Sequence, residues 1–146
     1  MVLTTIHFPG NCNEAISFYK ETLGAEVKDI AYYKDAPKNS GMESLSLPPN
    51  FVMYSMVSIH GSLVSMTDGV ETKPTGDNFS FFITEDTVDK VTALYAKLLE
   101  GGKEVEALAP VFWASMYGIV EDKFGVNWQV MTSDGFEKSL KKCSGQ

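Results

Sequence analysis

The sequence predicts an α+β fold in which one module, a strand, a helix and three further strands, occurs twice. Two amphipathic helical segments of similar design, within residues 11–27 and 86–105, carry the repeat. Strand-like segments surround both helices, and the last strands end alike, as Met66-Thr67-Asp68 and Met131-Thr132-Ser133-Asp134. Solenoid repeats are about 20–50 residues long, so this longer repeat favours a duplicated βαβββ module.

The first module begins with a strand at residues 3–8, followed by a helix within residues 11–27. Asn11 with Glu14 resembles a capping box, and Gly24 is a natural helix stop. Apolar side chains recur at helical spacing and predict one buried face. Its members are Cys12, Ala15, Ile16, Tyr19 and Leu23.

The rest of the first module reads as a long loop and a hairpin. Strands at residues 51–59 and 62–67 flank His60-Gly61, which predicts a two-residue turn. The loop at residues 34–50 is rich in turn residues and has room for at most a short strand near Leu45. A loop of this length is often functional, for instance as a flap over a pocket.

The second module repeats this order with a strand at residues 79–84 and a helix within residues 86–105. Asp86 is the expected N-cap, and Gly101-Gly102 the expected stop. The apolar face of this helix comprises Val88, Val91, Tyr95, Leu98 and Leu99. Two final strands, at residues 116–121 and 126–132, follow an irregular segment near Pro110.

These elements predict a single domain at residues 1–134. Module one covers residues 1–68, a linker covers 69–77, and module two covers 78–134. A C-terminal tail at residues 135–146 is expected to be a short helix or a frayed end.

Composition excludes several classes of function. All 12 basic residues are lysines, and the formal net charge is −7, so nucleic-acid binding is disfavoured. No apolar run approaches the roughly 20 residues of a membrane span, and the N-terminus lacks signal-peptide character. Two widely spaced cysteines, Cys12 and Cys143, suggest reduced thiols. We therefore expect a cytoplasmic protein that binds neither nucleic acid nor membrane.

A recognisable stretch lies in the second module, where residues 112–128 read FWASMYGIVEDKFGVNW. This segment, together with Gly10-Asn11-Cys12-Asn13-Glu14-Ala15 and Leu23-Gly24-Ala25, resembles PhnB-like proteins. They belong to the glyoxalase/bleomycin-resistance/dioxygenase superfamily, also called vicinal oxygen chelate. The resemblance covers about residues 2–133. It implies two βαβββ modules that form a curved mixed sheet around a cup, and a homodimer.

The resemblance also implies where a metal would be bound. Among the residues at the superfamily's four ligand positions, only Gln129 is a plausible ligand. Catalytic metals prefer imidazole and carboxylate ligands, and a single amide among hydroxyl and apolar groups does not provide them. We therefore predict no cofactor and leave a divalent metal as the disfavoured alternative. The four positions fall at Thr4 or Thr5, at Val64 or Ser65, at Asn78 or Phe79, and at Gln129.

Seven residues form the candidate pocket. His7 and Thr5 face the cup if Ile6 and Phe8 pack under the helix; the alternative is a hydrogen-bonded strand histidine without chemistry. Gln129 and Asn127 share a strand face and would bind a neutral polar ligand, unless Gln129 only satisfies a neighbouring backbone group. The complete set is Thr5, His7, Tyr54, Trp113, Tyr117, Asn127 and Gln129.

The remaining alternatives concern the aromatic residues and Cys12. Trp113, Tyr117 and Tyr54 suit either a pocket wall or the core, and the repeat places the two tyrosines at similar depth. Cys12 begins a helix, whose dipole would lower a thiol pKa, although its apolar face favours a buried, inert thiol.

Two functions follow from these residues. The first is small-molecule binding in an aromatic pocket without a classical metal site. The alternative is an enzyme of lyase, isomerase or dioxygenase type that acts on a small oxygenated substrate through His7 and Gln129. Superfamily members include both, so the sequence leaves enzymatic activity open and assigns no catalytic residue.

Overall fold

The computed structural model describes residues 1–36, 47–69, 73, 76 and 78–145. The chain divides into two compact units, residues 1–73 and residues 74–146. Each unit contains a four-stranded mixed sheet and has the order strand, helix, three strands. The predicted α+β fold with a duplicated βαβββ module is confirmed. None of the helices in these ranges is long and apolar enough to cross a membrane.

In the first unit the sheet has the order β1-β4-β3-β2, and only β1 and β4 are parallel. Helix α1 packs on β3 and β4 with the predicted apolar face, to which Phe18 is added. Gly24 adopts φ 63° and ends α1 as expected. The elements are β1 Thr4–Phe8, α1 Cys12–Leu23, β2 Glu26–Tyr32, a 3-10 turn Tyr33–Asp35, β3 Val52–Ile59 and β4 Ser62–Asp68.

The start of α1 differs from the prediction. Asn11 precedes the helix, but its side chain makes no capping hydrogen bond, so the prediction of a capping box is wrong. Instead, the Cys12 backbone N–H donates to Oδ1 of Asp68 at 2.9 Å. Oδ2 of the same buried carboxylate accepts from the Val52 N–H at 2.8 Å. Asp68, at the end of β4, therefore fixes the start of both α1 and β3.

Burial decides between the two alternatives for Cys12, a reactive thiol at a helix N-terminus and an inert thiol in the core. The side chain is fully buried, and desolvation, followed by the negative charge of Asp68, raises the pKa of the thiol to about 12. A thiol with such a pKa stays protonated at neutral pH and is a poor nucleophile. Cys12 is therefore a small apolar core residue.

The hairpin between β3 and β4 has the predicted two-residue turn. His60 and Gly61 have φ values of 48° and 83°, and Ile59 pairs with Ser62 across the turn. Two successive positive φ values are typical of a type I′ turn, which matches the twist of the flanking strands. The strand expected near Leu45 lies outside the described residues, as does much of the proposed flap.

The second unit repeats the topology, with the order β5-β8-β7-β6 and with β5 parallel to β8. Strand β6 is the first of the three strands predicted after the second helix, but its extent was not predicted, because the segment around Pro110 reads as irregular. It is an edge strand with three register shifts against β7, which explains the weak pattern. The elements are β5 Phe81–Glu85, α2 Val88–Leu99, β6 Lys103–Val111, β7 Ala114–Glu121, β8 Asn127–Thr132 and α3 Ser133–Cys143.

Helix α2 also departs from the prediction at its N-terminus. Thr87, not Asp86, is the N-cap, and its hydroxyl accepts from the Lys90 N–H at 3.2 Å. Asp86 forms an exposed ion pair with Lys90 instead. On the apolar face, Leu94 is buried, whereas Val88, which was expected there, is exposed.

The two faces of the β7–β8 hairpin have different roles. One face is buried and carries Val120, Trp128 and Val130. A Cβ atom added to Gly118, on this face, would lie 2.8 Å from the Tyr95 ring, so α2 packs closely here. Because side chains alternate along a strand, Ile119 and Gln129 project from the opposite face. The second face is where the candidate site lies.

The turn between β7 and β8 is organised by Asp122, whose side chain is only 2% exposed. Oδ1 accepts from the backbone N–H groups of Phe124 and Val126 at 2.8 and 3.1 Å. Oδ2 accepts from the indole N–H of Trp128 at 2.9 Å. One carboxylate thus connects the turn to the largest side chain of the core.

Asp134, at the beginning of α3, has a lowered pKa because its carboxylate accepts several hydrogen bonds. Its carboxylate accepts from the Ser115 N–H at 3.2 Å and from the Ser115 hydroxyl at 2.8 Å. Hydrogen bonds from Thr132 and Ser115 lower the pKa of Asp134 from 3.8 to about 2. A lowered folded-state pKa means that ionised Asp134 stabilises the fold above pH 3.8, and that this contribution is lost as pH falls through about 2.

We therefore expect Asp134 to remain largely ionised at pH 3, where an ordinary aspartate is largely protonated. Carboxyl-carbon NMR shifts recorded as a function of pH will measure this. Ser115→Ala should move the pKa of Asp134 towards 3.8, because it removes one hydroxyl donor. A midpoint near 3.8 in the unmodified chain would contradict the assignment.

Candidate functional site

A continuous row of polar and aromatic side chains lies on the face of the second sheet opposite α2. The Tyr117 hydroxyl donates to Oε1 of Gln129 at 2.9 Å, and Nε2 of Gln129 donates to Oγ of Ser80 at 2.7 Å. At the other end, the rings of Trp113 and Tyr117 meet edge to face, with centroids 5.4 Å apart. Three of the predicted residues, Trp113, Tyr117 and Gln129, are therefore joined by direct contacts.

Next to this row is a cleft with a volume of about 480 Å³. Asn127, a fourth predicted residue, lines it, and its Nδ2 donates to the Gly76 carbonyl at 3.2 Å. Ser80 belongs to both the row and the cleft. The lining residues are Ser80, Lys103, Glu104, Val105, Ile119, Glu121 and Asn127.

The ionised groups of the cleft already have partners. Lys103 Nζ lies 3.4 Å from Oε2 of Glu121, and Glu104 accepts from the Tyr95 hydroxyl at 2.9 Å. Desolvation, followed by the charge of Glu106, raises the pKa of Tyr117. Tyr117 is consequently a neutral hydrogen-bond donor at physiological pH.

The other three predicted residues lie in the first unit. Phe8 is buried and His7 is exposed, as the alternation predicted, and His7 Nδ1 lies 2.9 Å from the Thr67 hydroxyl oxygen. Thr5 shares this exposed face of β1 and pairs with Ser65. The hydrogen bond to Thr67 is compatible with both interpretations of His7, and its role in a pocket stays a prediction.

Tyr54 occupies the same place in the first module as Tyr117 in the second. Met56 pairs with Ser65 as Ile119 pairs with Gln129, and each tyrosine lies two residues earlier on its strand. Their partners differ, because the Tyr54 hydroxyl donates to Asp29 at 2.8 Å in an exposed position. That hydrogen bond raises the pKa of Tyr54. The repeat therefore conserves the position of the tyrosine but not its contacts.

The residues do not fit the metal that the family resemblance implies. Both polar atoms of the Gln129 amide are engaged, by Tyr117 and by Ser80. The neighbour of Gln129 on β5 is Phe82, whereas Asn78 and Phe79 precede that strand. Within the described ranges, no three His, Cys, Asp or Glu side chains are grouped as a metal site would require. We derive no metal-dependent step.

Ser80 was missed by the sequence reasoning. It precedes the first residue of β5, Phe81, and nothing in its immediate sequence marks it as functional. The usable signal is alternation, since Ser80 lies two residues before Phe82, which pairs with Gln129. The serine is recognised only once the parallel register of β5 and β8 is known.

Comparison with known proteins places this geometry in a family. The model of the glyoxalase/bleomycin resistance protein/dioxygenase superfamily matches residues 4–130. Protein YjdN of Escherichia coli (strain K12) is 31% identical over 135 residues, which cover 86% of this chain and 90% of that protein. Both matches extend across the two modules.

Solved structures show the same fold. Protein PA1353 from Pseudomonas aeruginosa is similar with a TM-score of 0.75 and 25% identity, and the match covers 90% of this chain and 96% of that one. The PhnB protein from Bacillus cereus has a TM-score of 0.74 and 20% identity, with 90% and 98% of the two chains covered. The chain thus belongs to the glyoxalase/bleomycin resistance protein/dioxygenase superfamily.

Proposed function

We propose that the chain binds a small, uncharged molecule in the cleft of the second unit, without a bound metal. The observation that carries this proposal is the hydrogen-bonded row Tyr117–Gln129–Ser80, which ends at the cleft. These hydrogen bonds engage both polar atoms of the Gln129 amide, the only plausible ligand at the family's metal positions. Gln129 becomes part of a fixed polar wall.

The size and lining of the cleft support a small-molecule ligand. Its volume of about 480 Å³ lies within the roughly 300–1,000 Å³ of ligand pockets. Val105 and Ile119 supply apolar surface, and Ser80 and Asn127 supply hydrogen-bonding groups. This combination of apolar area with a few polar groups is typical of sites that bind and orient small ligands.

The charge distribution favours an uncharged ligand. Lys103 lies close to Glu121, and Glu104 is hydrogen-bonded to Tyr95, so an ionic ligand would have to compete with existing contacts. The chain also contains no arginine, the residue best suited to bidentate binding of a carboxylate or phosphate. A neutral ligand avoids both difficulties.

The test fills the cleft with a larger side chain. In Ile119→Trp, we expect binding of neutral aromatic probes, acetophenone and toluene, to fall at least about tenfold, because the indole occupies the ligand volume. Saturation-transfer NMR in a buffer with a chelator measures binding. Val88→Trp is the matched control, since Val88 is exposed on α2 and is not among the cleft residues.

Two results would contradict the proposal. One is equal binding of the probes by the Ile119→Trp and Val88→Trp variants. The other is stoichiometric zinc, nickel or iron that survives dialysis of the chain purified without chelators, which would show that the polar wall is a metal site after all.

We also propose that the chain forms a homodimer and is located in the cytoplasm. The proposal of a homodimer rests on the resemblance to PhnB-like proteins. The location rests on the two widely spaced cysteines, Cys12 and Cys143, which suggest reduced thiols.

A further inference from the structure

We infer that Ser80 presents its hydroxyl proton to the bound molecule, and that the ligand has an acceptor oxygen, such as a carbonyl or ether, at this end of the cleft. The inference rests on the proposed function and specifies the ligand chemistry. It makes Ser80 a residue that determines specificity.

The argument begins with the direction of the hydrogen bonds. A phenol hydroxyl has one proton, and that of Tyr117 is donated to Oε1 of Gln129. The amide nitrogen Nε2 can only donate, so Oγ of Ser80 must accept from it. The proton of Ser80 is therefore not used within the row.

The reverse direction is unfavourable. If Gln129 were turned by 180°, the proton of Tyr117 would lose its acceptor. The ring neighbour Trp113 and the strand neighbour Met131 are not strong acceptors, and Glu106 acts on Tyr117 through its charge rather than through a hydrogen bond. A half-buried hydroxyl without an acceptor costs free energy. At the Ser80 end the unused proton faces an open cleft, where water or a ligand can accept it.

The surroundings of Ser80 leave this proton available. Among the described residues, Ser80 has the Gln129 amide as its side-chain hydrogen-bond partner and lines the cleft beside Asn127. A ligand oxygen that accepts from Ser80 would complete a polarised series of three hydrogen bonds. Each bond in such a series strengthens the next.

Gln129→Glu tests the direction with almost no change in shape. A carboxylate can only accept, so it takes protons from both Tyr117 and Ser80, and the Ser80 oxygen then faces the cleft as an acceptor. We expect the affinity for acetophenone, which has a carbonyl acceptor, to fall about tenfold relative to toluene, which has none. Circular dichroism verifies that the variant is folded.

Two further variants isolate Ser80. Ser80→Ala should cause the same selective loss of acetophenone binding, and combining it with Gln129→Glu should cause no additional loss. Val88→Trp, at an exposed position of α2 outside the cleft, should leave the ratio of the two affinities unchanged. A chelator in every buffer prevents the new carboxylate from recruiting metal.

The outcomes separate the inference from the proposed function. If toluene and acetophenone bind and their affinity ratio is the same in all variants, the inference is overturned and the binding function stands. If neither probe binds the unmodified chain at millimolar concentration, the proposed cleft and the inference are both rejected.

Discussion

Asp122→Ala is expected to lower the free energy of unfolding by about 4 kcal/mol. The carboxylate is buried and accepts hydrogen bonds from two backbone N–H groups and from the Trp128 indole. Alanine leaves these donors without their acceptor, and an unsatisfied buried polar group costs roughly 1–3 kcal/mol. The turn between β7 and β8 would lose its side-chain support.

Urea unfolding followed by Trp fluorescence measures this loss. Asp122→Asn should lose roughly half as much, because one amide oxygen can still accept from the turn while the nitrogen cannot. Glu137→Ala, at an exposed position of α3, is the matched control and should change stability by less than about 0.5 kcal/mol. A loss below about 1 kcal/mol for Asp122→Ala would refute the role assigned to this carboxylate.

Asp68→Ala is expected to cost about 3 kcal/mol, since it removes the acceptor of the Cys12 and Val52 N–H groups. Because these two groups begin α1 and β3, the loss should be local as well as global. Amide hydrogen exchange should accelerate first at these two positions.

The control for this experiment is Asn11→Ala. Asn11 occupies the N-cap position without a side-chain capping bond, so its replacement should not accelerate exchange at Cys12. Unchanged exchange at both Cys12 and Val52 in the Asp68→Ala chain would show that the carboxylate does not hold these elements.

Much of the fold could be predicted because it is encoded in short-range patterns. The buried face of α1 follows from apolar spacing, and the His60-Gly61 turn follows from two residues between two strands. The N-terminus of α1 could not be predicted in this way. Its capping carboxylate, Asp68, is 56 residues from Cys12 in sequence, and no local pattern reports such a contact.

The edge position of β6 explains why the extent of this strand could not be predicted. Its residues are mostly exposed, and register shifts interrupt its alternation, so the two-residue periodicity that marks a strand is absent. Periodicity reports burial rather than backbone conformation. It therefore identifies central strands such as β8 more readily than edge strands.

The candidate site was predicted in part for similar reasons. Family resemblance identified Gln129, and residue type identified Tyr117 and Trp113. In the structure Tyr117 contacts both of the others, through a hydrogen bond to Gln129 and a ring contact with Trp113. Ser80 required the register of β5 against β8. Pairing between strands that are far apart in sequence is a tertiary property.

The irregularity of β6 has a consequence for colloidal behaviour. An exposed strand at a sheet edge is a template on which another chain can add a strand, the first step of many aggregation processes. Pro110 lacks an N–H donor, and the three register shifts against β7 interrupt the regular spacing of the rest. Glu104 and Glu106 add negative charge along the same strand. Intermolecular β-sheet growth along this edge is thus discouraged by the backbone itself.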